Sequence, residues 1–119
     1  MVEVSHELVE SLYRSDWGRI VAFYDLLVAQ APGPIVALNR ALAVAERDGV
    51  EEGRRQLVEV AGDKKLARYP FYWAALADLQ RRADRPAEAR ASYERAIELS
   101  RSPAERASYG RRLHLLETS

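Results

Sequence analysis

An all-α chain built from repeated helix pairs is the fold class this sequence predicts, and three observations predict it. Ala, Leu, Arg and Glu dominate while β-branched residues are few, so helix formers fill nearly every segment. Pro, Gly and Asp cut the chain at intervals of a helix length. Small and large apolar residues also recur at matching spacings in successive segments, which favours a stacked array over a bundle.

The elements follow in order. A first helix is predicted over residues 3–14. Asp16 is placed to N-cap a second helix that ends near residue 31, before Pro32. The third starts at Pro34 and stops at the Asp48-Gly49 turn. The fourth runs over residues 50–61, with Gly62 as its stop. Asp63-Lys64-Lys65 reads as a loop leading to Tyr69-Pro70, and Pro70 suits the first turn of a fifth helix that ends near Ala83. Asp84 is the expected cap of the sixth, with Pro86 in its first turn. Ser102-Pro103-Ala104-Glu105 is a capping box that opens the seventh. Short links make neighbouring helices antiparallel.

Bulk composition excludes several function classes. Of 119 residues, 48% are hydrophobic and 30% charged, the balance of one ordered domain rather than a disordered tract. Lys+Arg and Asp+Glu both number 18, so the basic excess of a dedicated nucleic-acid binder is missing, and no direct DNA contact is expected. There is no Cys, which excludes disulfides and thiolate zinc sites, and His6 and His114 are too far apart in sequence to suggest a metal pair. No apolar run has membrane-spanning length, and MVEVSHELVE does not read as a signal peptide, so a cytoplasmic location is expected. No Gly-rich phosphate loop, nucleophile elbow or metal-ligand spacing occurs, so neither a cofactor nor catalysis is expected. Arg54-Arg55, Lys64-Lys65, Arg81-Arg82 and Arg111-Arg112 read as solvated charge on helix surfaces. Tyr69, Tyr72 and Trp73 read as packing rather than a base-stacking platform.

The repeat is clearest in the fifth and sixth helices. Trp73, Leu76 and Ala77 precede Ala89, Tyr93 and Ala96 at the spacings of the tetratricopeptide repeat (TPR), with Gln80 where that pattern has Tyr. One repeat earlier, Ala37 and Ala41 precede Gly53, Leu57 and Val60. Earlier still, Ile20, Tyr24 and Leu27 precede Pro32. The chain thus resembles a single TPR-like domain over residues 1–119, with repeats at 1–33, 34–68 and 69–102 and a capping helix at 103–117. Small residues let paired helices approach, large ones fill the layers between, and Leu113 and Leu116 of the cap face inward.

The resemblance implies that first helices line a concave groove. Ile35, Leu38, Asn39 and Leu42 on the third helix, and Phe71, Ala74, Asp78 and Arg82 on the fifth, are the expected groove residues. The basic pair that clamps a C-terminal carboxylate in chaperone-binding TPR domains would fall at Phe71 and Ala75, so that clamp is absent. Asn39 is either a polar group on the groove side or an amide that holds a bound peptide. Arg40 occupies a slot usually held by Leu and needs an acid. Asp25 or Asp16 of the second helix, or Glu46 of its own, would supply one. Pairing with Asp25 or Asp16 would lock the first repeat to the second.

One resemblance is more pointed. DWGRIVAFYDLL, PGPIVALNRALAVAERDGVEEG and KKLARYPFYWAALADLQRR look like the C-terminal extension of one group of extracytoplasmic-function (ECF) sigma factors, and P-x-P-I-V-A-L-N-R-A-L-A is the most specific part. It implies a non-enzymatic regulatory domain that contacts its own sigma regions, the RNA polymerase core or another regulator. A stand-alone TPR adaptor that binds an apolar helix or forms a homodimer is the alternative. A small-molecule sensor with Asn39, Arg40 and an acid around a closed pocket is a third reading.

Overall fold

The computed structural model describes the backbone of residues 6–118 and the side chains of residues 16–60 and 62–118. These residues form α1 (His6–Gln30), α2 (Pro34–Asp48), α3 (Val50–Glu59), a 3-10 turn (Val60–Gly62), α4 (Lys64–Ala67), α5 (Pro70–Arg82), α6 (Pro86–Leu99) and α7 (Pro103–Thr118), with no strand among them. The protein is all-α.

Three boundaries differ from the sequence reading. The break expected at Ser15-Asp16 does not form, and α1 is one helix of 25 residues. Asp inside a helix costs only a fraction of a kcal/mol, and Gly18 about 1 kcal/mol, so neither stops a helix in the way that Pro32 does. The first expected helix pair is therefore a single rod. The expected loop at Asp63-Lys64-Lys65 folds instead into α4. Asp63 caps it, accepting from the Lys65 and Leu66 amides at 2.8 and 3.4 Å, because Leu66 is fully buried below. Finally, Asp84 does not cap α6. It has φ +59° and closes α5, its N–H bonding to the Arg81 carbonyl while that of Arg85 bonds to Gln80. This is a Schellman ending with Asp in the glycine position.

Other turns form as their residues dictate. Gly49 takes φ +110°, open to glycine alone, between α2 and α3. Ser102 caps α7 by accepting from the Glu105 amide, while the Glu105 carboxylate accepts from the buried Ser100 hydroxyl rather than closing the box.

Packing proceeds in chain order: α1 lies on α2, α2 on α3, α3 on α5, α5 on α6 and α6 on α7. Burial among the described residues divides accordingly into four apolar clusters rather than one core. Val21 seats α1 on Ala43 and Val44. The largest cluster joins Leu38, Leu57, Leu66, Tyr72, Leu76 and Leu79. Tyr72 and Trp73 donate to the Leu57 and Ala67 carbonyls, which settles both polar tips in the core. Leu113 and Leu116 of α7 cover Ala77, Ala89 and Tyr93.

Candidate partner-binding groove

Residue pairs 36 apart occupy equivalent places in α2–α3 and α5–α6. Ala41 and Ala77 are buried, as are Gly53 and Ala89, and Leu57 and Tyr93. Equivalent stripes follow on the first helix of each pair. Ile35, Asn39, Leu42 and Glu46 run along one side of α2, and Phe71, Ala75, Asp78 and Arg82 along one side of α5. Both stripes have the i, i+4, i+7, i+11 spacing of a single helix face.

Between these stripes and α1 lies a groove of 360 Å³. Trp17, Ile20 and Tyr24 form its α1 wall, Asn39, Leu42, Ala43 and Glu46 its α2 side, and Phe71, Ala75, Asp78, Leu79 and Arg82 its α5 side. Of the groove residues expected from sequence, Asn39, Leu42, Phe71, Asp78 and Arg82 are brought together here. Ile35 is exposed at the start of the α2 stripe but is not part of the lining.

Leu38 and Ala74 are corrections. Leu38 is fully buried in the largest cluster, and Ala74 is buried against Ala96 and Tyr109. Three residues on from Ile35, Leu38 sits about 60° around the helix, on the side of Ala41 and Ala45. Ala74 bears the same relation to Phe71. Trp17, Ile20, Tyr24, Ala43, Glu46 and Leu79 were not expected in the lining, where Ala75 holds the slot of the absent clamp, and the stripe spacing is the signal that marks Glu46.

The groove is apolar along its walls and charged at one end. Phe71 and Ile20 remain 40% and 38% exposed. The Asn39 amide, half-buried, has no hydrogen-bond partner among the described residues. Glu46 accepts from Arg82 at 3.1 Å, joining α2 to α5 at the charged end. Asp78 accepts from the buried Tyr93 hydroxyl and from Arg112 at 3.0 Å. Burial, and then the hydrogen bond to Asp78, push the Tyr93 phenol above its ordinary pKa.

Arg40 does not line the groove. Its Nε donates to Asp25 at 2.6 Å and its Nη1 to Gln56 Oε1 at 2.7 Å, so one side chain spans α1, α2 and α3. Asp16 is not its partner. It lies nine residues before Asp25 on the same rod, about 13 Å away along the axis, and faces solvent. With Arg40 29% and Asp25 56% exposed, the pair contributes on the order of 0.2–1 kcal/mol. Among the described residues no three His, Cys, Asp or Glu side chains gather in a way that could hold a metal ion. No helix there is long and apolar enough to cross a membrane.

These features define a layered, all-helical protein with an open groove on one face. The chain is 35% identical over 102 residues to an uncharacterized protein of Rhizobium meliloti (strain 1021), a match that covers 86% of this chain and 24% of that protein. The chain thus spans about a quarter of the length of the curated relative it matches. No family model matches it, and no solved structure does.

Proposed function

We propose that this chain is a non-enzymatic, TPR-like interaction domain that serves as the C-terminal regulatory extension of an ECF-type sigma factor in the cytoplasm. The groove carries this reading. It presents the exposed ring of Phe71, the side chain of Ile20 and an Asn39 amide unpartnered among the described residues on one concave surface, the mix of apolar contact and fixed polar group that recognition of a protein segment needs. A match confined to a quarter of a longer relative suits an accessory domain. The residues that carry the sigma-factor resemblance also build the groove: ALNRALA brings Asn39 and Leu42, and YPFYWAALADL brings Phe71, Ala75 and Asp78. Its partners would be the sigma regions of the same polypeptide, the polymerase core or a signalling protein, with no DNA or membrane contact of its own.

The test offers the immobilised chain purified core RNA polymerase and, separately, the rest of the Rhizobium meliloti relative. Retention of either that disappears with Phe71→Arg supports the proposal. Retention of neither sinks the sigma-factor reading.

Self-association is a second reading, favoured by Phe23 and Leu26, which stand 58% and 64% exposed on α1. Sedimentation of the wild type as a dimer, and of Phe23→Glu as a monomer, would establish it.

A further inference from the structure

The groove does not end at the Glu46–Arg82 pair. Asp78 also lines a second cavity of 490 Å³ between α5 and α7, together with Arg81, Arg112 and Leu115. The two cavities differ in chemistry. In the first, Phe71 offers apolar surface and Asn39 a free amide. In the second, two guanidinium groups stand beside one carboxylate, and that carboxylate is already engaged by Arg112 and the Tyr93 hydroxyl. Arg81 is exposed and has no ion-pair acid among the described residues, its guanidinium standing at the Tyr93 hydroxyl that donates to Asp78. Beside it, Leu115 is 67% exposed, so the charged site has an apolar rim. The lining of the second cavity thus sets two positive charges against one negative, where the first offers apolar surface.

We propose that the occupant of this surface is an amphipathic protein segment bearing an acid. It sets apolar side chains against Phe71 and the α1 wall and, two to three helical turns further on, a carboxylate against Arg81 and Arg112. The spacing follows from α5. Arg81 lies six residues after Ala75 and ten after Phe71, about 9–15 Å along the axis, which two to three turns of a helical partner span. Electrostatic complementarity of this kind fixes register and direction more than it adds affinity, so the acid orients the segment along the groove. This inference rests on the interaction reading above and names the chemistry of its partner.

A random peptide library displayed on phage, long enough to span three helical turns, tests it against the whole chain and two variants at exposed positions, Arg81→Glu and Phe71→Arg. Circular dichroism of each variant verifies its fold. Wild type is expected to enrich peptides with an apolar pair one turn apart followed by Asp or Glu at the stated spacing. Those peptides lose about tenfold in affinity for Arg81→Glu, while Arg81→Glu itself enriches Lys or Arg at the acidic position. Enriched peptides that need Phe71 yet carry no such acid, and bind Arg81→Glu equally well, would overturn the inference and leave the interaction reading intact. If no peptide is enriched, or Phe71→Arg changes nothing, the groove reading falls and takes this one with it. A single-stranded oligonucleotide bound through Arg81 when no peptide is would overturn it in favour of nucleic acid.

Discussion

Gly53→Ala should destabilise the protein, although Gly→Ala in a helix ordinarily does the opposite. Replacing an interior helix glycine gains about 1 kcal/mol in propensity. At Gly53, however, the new methyl would lie 2.3 Å from the Ala45 Cβ, 2.7 Å from its Cα and 2.9 Å from its backbone nitrogen. Carbon atoms pack at about 3.5–4.0 Å, so α2 and α3 would have to separate by about 1 Å or more. Two of the three close atoms are main chain and cannot rotate away, which puts the overpacking cost at the upper end of its range, about 3 kcal/mol. The net loss is then about 2 kcal/mol, or about 8 °C in Tm for a domain of this length. Gly110→Ala in α7 is the matched control. Nothing lies within 4 Å of its methyl, so it should gain up to about 1 kcal/mol. Urea unfolding followed by far-ultraviolet circular dichroism reads both. A Gly53→Ala protein as stable as Gly110→Ala would refute the close approach of α2 and α3.

Other substitutions and pH test further elements. Asp84→Gly should raise stability by about 1 kcal/mol in the same unfolding assay, because it relieves a left-handed non-glycine residue at the end of α5. Leu38→Ala should cost about 2–5 kcal/mol by leaving a cavity among Leu57, Leu66 and Tyr72, and an unchanged urea midpoint would return Leu38 to the groove. Burial raises the pKa of Tyr72, Tyr93 and Tyr109. Their contribution is therefore fully present below the ordinary tyrosine pKa of 10.0 and is lost as pH rises through the higher folded values. Melting at successive alkaline pH, compared with Tyr93→Phe, checks this. The carboxyls of Glu51 and Glu52 are held below their ordinary 4.5 by hydrogen bonds from Arg54 and Arg55, so their contribution exists above that pH and fades as acid takes it through the lower folded values; Glu52→Gln should flatten the acid limb of stability against pH.

Local chemistry made most of the fold legible from sequence, and failed where several weak signals had to be weighed. Pro34, Pro70 and Pro103 each open a helix at the expected position, and Pro86 opens α6 one residue after the start that an Asp84 cap would give, because proline removes a donor that the first turn does not use. Asp16 and Asp84 misled for a shared reason. Aspartate suits an N-cap, a helix interior at small cost, and a left-handed turn, and only packing chooses among them. In the groove, the repeat resemblance led to Asn39, Phe71 and Arg82 on the first helices, but Leu38 and Leu42 are chemically identical. Only their difference in angle about α2 separates a core residue from a lining one. The α1 wall was hidden by the missed continuity of that helix.

That continuity gives Arg40 a different meaning. If the first two expected helices formed a pair, an Arg40–Asp25 bridge would tie one repeat to the next and have no bearing on the groove. With α1 a single rod seated on α2 through Val21, Ala43 and Val44, α2 is its main support among the described residues. Its inner face supplies Trp17, Ile20 and Tyr24 to the groove. Asp25 follows Tyr24 directly, and Arg40 follows Asn39 directly. The ion pair and the groove therefore share backbone on both helices, and Gln56 extends the tie to α3. A pair this exposed contributes little to global stability. Its consequence is positional: it ties α1 to α2 and α3 one residue beyond the lining residues Tyr24 and Asn39, beside the apolar seat at Val21.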